Sequence, residues 1–152
     1  MRSLAIDYGT RRVGLALSDE GGTFATPYDV LQVSSPDHAA TQALAVVQKE
    51  GVKRLVVGLP LNMDDTIGPA ARTAIAWGSS LAARAAIPVV FVDERLSSFS
   101  AEQGLIDRKR GGEKITRGRR KQMLDAMAAT QFLQEFLDGK LAPISVDEGE
   151  GW

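Results

Sequence analysis

The sequence predicts an α/β fold: a mixed five-stranded sheet, three antiparallel strands followed by parallel ones, with helices on both faces. Three observations carry that expectation. Short turns separate the first extended stretches, as antiparallel neighbours allow. The apolar runs at residues 54–58 and 88–92 are near-continuous, as in strands buried on both faces. Those runs alternate with segments whose apolar residues recur at helical spacing, the pattern of right-handed parallel crossovers.

Residues 2–8 read as a strand stopped by Gly9-Thr10. Residues 13–18 form a second, with Val13, Leu15 and Leu17 on one face, and the connection between the two suits an antiparallel hairpin. Gly21-Gly22 turns the chain into a third extended stretch, residues 23–33, interrupted by Pro27. Ser35-Pro36-Asp37 is a helix start in the expected order of cap, proline and acid. Ala40, Leu44 and Val47 keep helical spacing, and Gly51 closes that helix. The strand at 54–58 leads into a loop bounded by Pro60 and Pro69. An alanine-rich helix follows over 70–86, then the strand at 88–92. A short helix is expected at 98–107, a basic loop next, and a last helix over 119–138 before Gly139.

A chain of 152 residues, 44% hydrophobic and 24% charged, is expected to be one domain, residues 1–139, followed by an acidic, flexible tail at 140–152. No apolar run reaches the ~18 residues of a membrane span. An aspartate at position 7 breaks the layout of a secretory signal, so a cytoplasmic protein is expected. With no cysteine, thiolate metal sites and cysteine nucleophiles are excluded.

The net charge of −1 conceals an uneven distribution. Residues 108–121 hold Arg108, Lys109, Arg110, Lys114, Arg117, Arg119, Arg120 and Lys121 against Glu113 alone, which makes that segment +7 and the remainder −8. Such a patch suits a polyanion, in the first place a phosphate backbone.

The chemistry is narrowed by elimination. The single histidine, His38, falls in the polar first turn of a helix and reads as a surface residue. Neither of the common glycine-rich phosphate loops is present. Carboxylates remain, and three stand where a core does not want them. Asp7 ends the first strand, Glu94 (with Asp93) ends the last, and Asp125 lies on the apolar stripe of the final helix with Ala129, Phe132 and Phe136. A buried carboxylate is costly unless it is paired or binds a cation. Converging on one sheet edge, three of them would take Mg²⁺ or Mn²⁺, hard ions that prefer oxygen ligands. Two such ions ~3.5–4 Å apart would clamp the attacking and leaving oxygens of a phosphoryl displacement.

Four co-linear motifs are specific enough to name a family. Asp7-Tyr8-Gly9-Thr10-Arg11-Arg12-Val13-Gly14, Val57-Gly58-Leu59-Pro60-Leu61-Asn62-Met63-Asp64-Asp65-Thr66, Asp93-Glu94-Arg95-Leu96 and Asp125-Ala126-Met127-Ala128-Ala129 resemble the YqgF family. Its members are also called RuvX-like, Holliday-junction-resolvase-like or pre-16S ribosomal RNA nucleases. The resemblance implies a ribonuclease-H-like fold, a bacterial cytoplasmic setting, and acidic metal ligands at Asp7, Glu94 and Asp125. It implies a metal-dependent nuclease that processes the 5′ end of precursor 16S ribosomal RNA or resolves branched DNA. Thr10, Arg11, Arg12, Asn62, Arg95 and Lys121 are then candidates for substrate contacts, with Arg108, Lys109, Arg110, Arg117, Arg119 and Arg120 gripping phosphates further out. Asn62 reads equally well as a loop cap. Asp65 stands where the family usually has glycine, and a backbone there with φ > 0 would suit aspartate less well than glycine.

Two other classes share these motifs: a nucleic-acid- or ribosome-binding module without turnover, and a single lobe of an actin-like ATPase. A junction resolvase would favour a homodimer, whereas a ribosomal RNA trimmer could act as a monomer.

Overall fold

The computed structural model describes residues 1–96 and 117–146. Its five strands are β1 (Ser3–Tyr8), β2 (Arg12–Ser18), β3 (Ala25–Gln32), β4 (Arg54–Leu59) and β5 (Val89–Asp93). Its helices are α1 (Pro36–Glu50), α2 (Pro69–Ala85) and α3 (Arg117–Leu137), with a 3₁₀ turn at Glu94–Leu96. The strands form one sheet in the order β3-β2-β1-β4-β5. β1–β2 and β2–β3 pair antiparallel, while β1–β4 and β4–β5 pair parallel. This is the mixed sheet expected from the spacing of turns and crossovers. The helix expected at 98–107 and the basic loop up to residue 116 lie outside the described residues.

Local chemistry explains the element ends. Ser35 Oγ accepts the His38 N–H at 3.0 Å, and Gly51 caps α1 at φ 65°. Pro27 interrupts the third strand without breaking it, because β3 is the sheet edge and a ladder irregularity falls beside it. β4 runs one residue past the expected end at Gly58, to Leu59.

The alternation of each strand sorts side chains onto two faces. Leu4, Ile6, Val13, Leu15, Leu55 and Val57 pack under α1 and α2. Ala5, Ala16, Val56 and Val92 pack under α3, against Ala129, Phe132 and Leu133. On that second face β1 and β2 carry small residues (Ser3, Ala5, Gly14, Ala16, Ser18), which lets α3 lie close to the sheet.

The chain after Gly139 departs from the expected flexible tail as far as it is described. Leu141 is buried in the α3-side core, and the Ile144 N–H donates to the Phe91 carbonyl at 2.7 Å. Leu141, Ile144 and Val146 supply apolar anchors that acidic composition alone does not reveal. Residues 147–152 lie outside the described residues.

Candidate active site

The C-terminal ends of β1, β4 and β5 lie together at one sheet edge, where ligand sites of open α/β sheets form. Asp7 is the fifth residue of β1 and shares a face with Ala5, the α3 side. It pairs with Gly14 of β2. Towards β4 the last paired position is Ile6 with Val57, so the next step of the register brings Asp7 level with Gly58. Asp7 is therefore flanked by glycine on both neighbouring strands.

Glu94 was expected to end the last strand; it is instead the first residue of the 3₁₀ turn after β5. Its position keeps the parity of Val90 and Val92, so it too falls on the α3 face. Its Oε2 lies 3.1 Å from where a Cβ on Gly58 would stand. The Glu94 and Asp7 carboxyl groups are hydrogen-bonded to each other. Burial raises the Glu94 pKa above the ordinary carboxylate range, the nearby Asp93 charge adds to the rise, and the hydrogen bond from Asp7 opposes it.

Asp125 lies in α3, one turn before Ala129 and two turns before Phe132. The Phe136 ring sits under Arg54, at the start of β4, with the guanidinium carbon 4.8 Å from the ring centroid. Phe132 lies against Gly58, near the end of β4. The N-terminal direction of α3 therefore runs towards the edge that holds Asp7 and Glu94, and Asp125 falls about 10 Å beyond Phe132 along the helix. The Asp125 side chain lies outside the described ones, as do those of Arg117, Arg119, Arg120 and Lys121 in the same helix. Arg108, Lys109 and Arg110 lie outside the described residues altogether. Among the described residues no group of three or more metal-binding side chains occurs.

Gly9, Thr10 and Arg11 form the tight β1–β2 connection at this edge. A Cβ on Gly9 would stand 2.5 Å from the Arg12 carbonyl oxygen, so close approach is what requires glycine there. Thr10 and Arg11 are exposed and Arg12 is half-buried.

Two predicted substrate contacts are tied up inside the protein. The Asn62 amide donates to Thr66 Oγ1 at 3.0 Å, and its backbone N–H donates to the Thr66 carbonyl at 2.9 Å, which is the loop-capping role. Arg95 grips Asp93, and its side-chain hydrogen bonds hold the Asp93 carboxyl below the ordinary range. It also meets Asp65, whose backbone has φ 67°. The position where the family favours glycine is thus left-handed, and aspartate occupies it with its carboxylate engaged.

Gly58 escaped the sequence reading as a site residue. The available signal was a glycine inside a run of buried β-branched residues, which commonly marks a close approach.

The fold and the paired carboxylates define the class: a ribonuclease-H-like α/β protein with an acidic site at the C-terminal edge of its sheet. The family model described as RuvX, Holliday junction resolvase, matches residues 1–139. The chain belongs to this family, also called YqgF. It is 40% identical over 137 residues to the "Putative pre-16S rRNA nuclease" of Acidiphilium cryptum, covering 90% of this chain and 84% of the relative. The protein of the same name from Opitutus terrae is 44% identical over 144 residues, covering 94% and 95%. Among solved structures, RuvC of Thermus thermophilus superposes with a TM-score of 0.60 over 95% of this chain and 100% of that one, at 18% identity. That likeness is one of fold.

Proposed function

We propose that this protein is a divalent-metal-dependent nuclease whose catalytic ligands are Asp7, Glu94 and Asp125. The observation that carries the reading is the Asp7–Glu94 pair: two partly buried carboxyl groups brought together at the edge of a sheet. Two neighbouring carboxyl groups at a sheet edge form an oxygen-donor set of the kind a hard cation takes.

The donor set fits a hard cation. Asp7 on β1 and Glu94 just after β5 would supply oxygen ligands from either side of β4, and Asp125 of α3 would add a third. Bound there, one or two Mg²⁺ or Mn²⁺ ions would polarise a phosphodiester and favour attack by water. The protein's own groups set the geometry. The exposed Thr10 and Arg11 of the β1–β2 connection would hold the oxygens of a phosphate that approaches the carboxylates. Arg12 and the basic residues 108–121 extend the contact along the backbone.

The names of the relatives favour precursor 16S ribosomal RNA as substrate, with branched DNA the second choice from the family description. Among the described residues no helix is long and apolar enough to cross a membrane.

The test is cleavage of labelled precursor 16S RNA 5′ ends and four-way DNA junctions, side by side, with Mn²⁺, with EDTA and with Asp7→Asn. Metal-dependent products that vanish in the variant are expected, and the substrate that is cut settles the biology. Salt-sensitive binding of both substrates without cleavage would replace the enzyme with a binding module.

A further inference from the structure

Arg95 has the side chain of a phosphate contact and stands beside a catalytic carboxylate, yet its surroundings point elsewhere. Asp93 Oδ1 accepts from Arg95 Nε at 3.0 Å and from the Arg95 backbone N–H at 3.0 Å, and Asp93 Oδ2 accepts from Nη2 at 2.7 Å. Asp93 is 6% exposed. This double grip closes a ring around Glu94, the residue between them. Three-residue 3₁₀ turns have poor hydrogen-bond geometry of their own, so the Glu94 backbone is held largely by this outside bracing.

The outer side of the guanidinium faces the β4–α2 connection. Nη1 donates to the Asn62 carbonyl, and Nη2 also donates to Asp65 Oδ1 at 2.7 Å. That connection is itself closed by hydrogen bonds, among them Asp65 N–H to the Asn62 carbonyl at 3.0 Å. All three guanidinium nitrogens are thus engaged within the protein. Turning the fork towards a phosphate would strip a buried carboxylate of its partner, which is costly.

We propose that Arg95 is a positioning residue: it locks the turn carrying Glu94 to the 60–68 connection and so holds the Glu94 carboxylate ready for the divalent cation, without contacting substrate phosphate. The proposal rests on the nuclease reading, in which Glu94 is a metal ligand. Partners that orient metal ligands in this way typically govern metal affinity by 10–100-fold.

The test compares full-length wild type with Arg95→Gln, Arg95→Lys and the double variant Asp93→Asn/Arg95→Gln. The double variant removes both charges together, so no buried carboxylate is orphaned. Mn²⁺ affinity is measured by calorimetry without nucleic acid, binding of a four-way DNA junction in EDTA across a salt series, and folding by thermal unfolding. Mn²⁺ Kd is expected to rise roughly 10-fold or more in all three, since an ammonium cannot reproduce the fork. The slope of log Kd for the junction against log salt should stay at the wild-type value. Wild-type Mn²⁺ affinity in the folded double variant would overturn the proposal. So would a salt slope reduced by about 1, the signature of a lost phosphate contact. Failure of the wild type to bind Mn²⁺ would instead overturn the nuclease reading, and this proposal with it.

Discussion

The carboxyl groups of Asp7 and Glu94 are hydrogen-bonded to each other across the end of β4, above Gly58. Burial, the nearby Asp93 charge and Asp7 together set the Glu94 pKa, and burial, the largest of them, raises it.

Stability of the metal-free protein should therefore depend on pH in a specific direction. The Glu94 pKa is raised in the folded state, chiefly by burial. Its contribution is fully present below the ordinary carboxylate range and is lost as pH rises through the raised value. The metal-free Tm should fall over that window, and Mn²⁺ should reverse the fall because a bound cation stabilises the ionised carboxylate. Glu94→Gln should flatten the profile. An unchanged slope in that variant would assign the dependence to other groups.

Asp7→Asn should separate stability from activity. An amide can donate to the Glu94 carboxylate without a proton being held. The variant is expected to be at least as stable as the wild type near neutral pH while losing Mn²⁺ binding and cleavage. Such a trade marks a residue retained for function. A loss of ~2 kcal/mol or more in urea unfolding would show instead that Asp7 is a structural group.

Gly58→Ala should damage both core and site. The new methyl would stand 2.8 Å from Phe132 Cε2 and 3.1 Å from Glu94 Oε2, and Phe132 is 1% exposed. Overpacking of this kind typically costs about 1–3 kcal/mol. Because Glu94 is the other obstacle, Mn²⁺ affinity should fall as well. A variant with wild-type metal affinity and wild-type unfolding would mean that α3 can shift away without consequence.

Asp65→Gly should be nearly neutral for folding. Glycine removes a left-handed penalty of roughly 1–2 kcal/mol. Against this stand the added freedom of the unfolded chain, about 0.4–1 kcal/mol, and an exposed ion pair worth about 0–1 kcal/mol. The urea midpoint should move by less than ~1 kcal/mol equivalent, and a much larger loss would show that the Asp65–Arg95 contact carries more of the loop than its exposure suggests.

Much of this architecture was legible because it depends on neighbours in sequence. Ser35-Pro36-Asp37 and Gly51 delimit α1 through caps that act within one turn. The period-2 pattern of β2 and the unbroken apolar run of β4 reflect burial on one face or on both. Asp7, Glu94 and Asp125 stood out because an acid ending an apolar strand, or lying on an apolar stripe, conflicts with its surroundings. The left-handed backbone at position 65 was likewise foreshadowed, by a residue standing in a glycine's place.

What the residues touch was not legible. Arg95 reads as a phosphate contact in sequence, and only the fold brings Asp65 and the Asn62 carbonyl to it from the β4–α2 connection. Asn62 presents an amide suited to substrate until the loop folds it back onto Thr66. Leu141 and Ile144 look like isolated apolar residues in a polar tail until β5 and α3 offer them a surface. Sequence by itself determined the elements, the faces they bury and the acids at their ends, because periodicity and capping are short-range. Tertiary structure alone decided which charges meet, because a side chain's partner is set by strand order and register, and these join segments that composition and spacing leave independent.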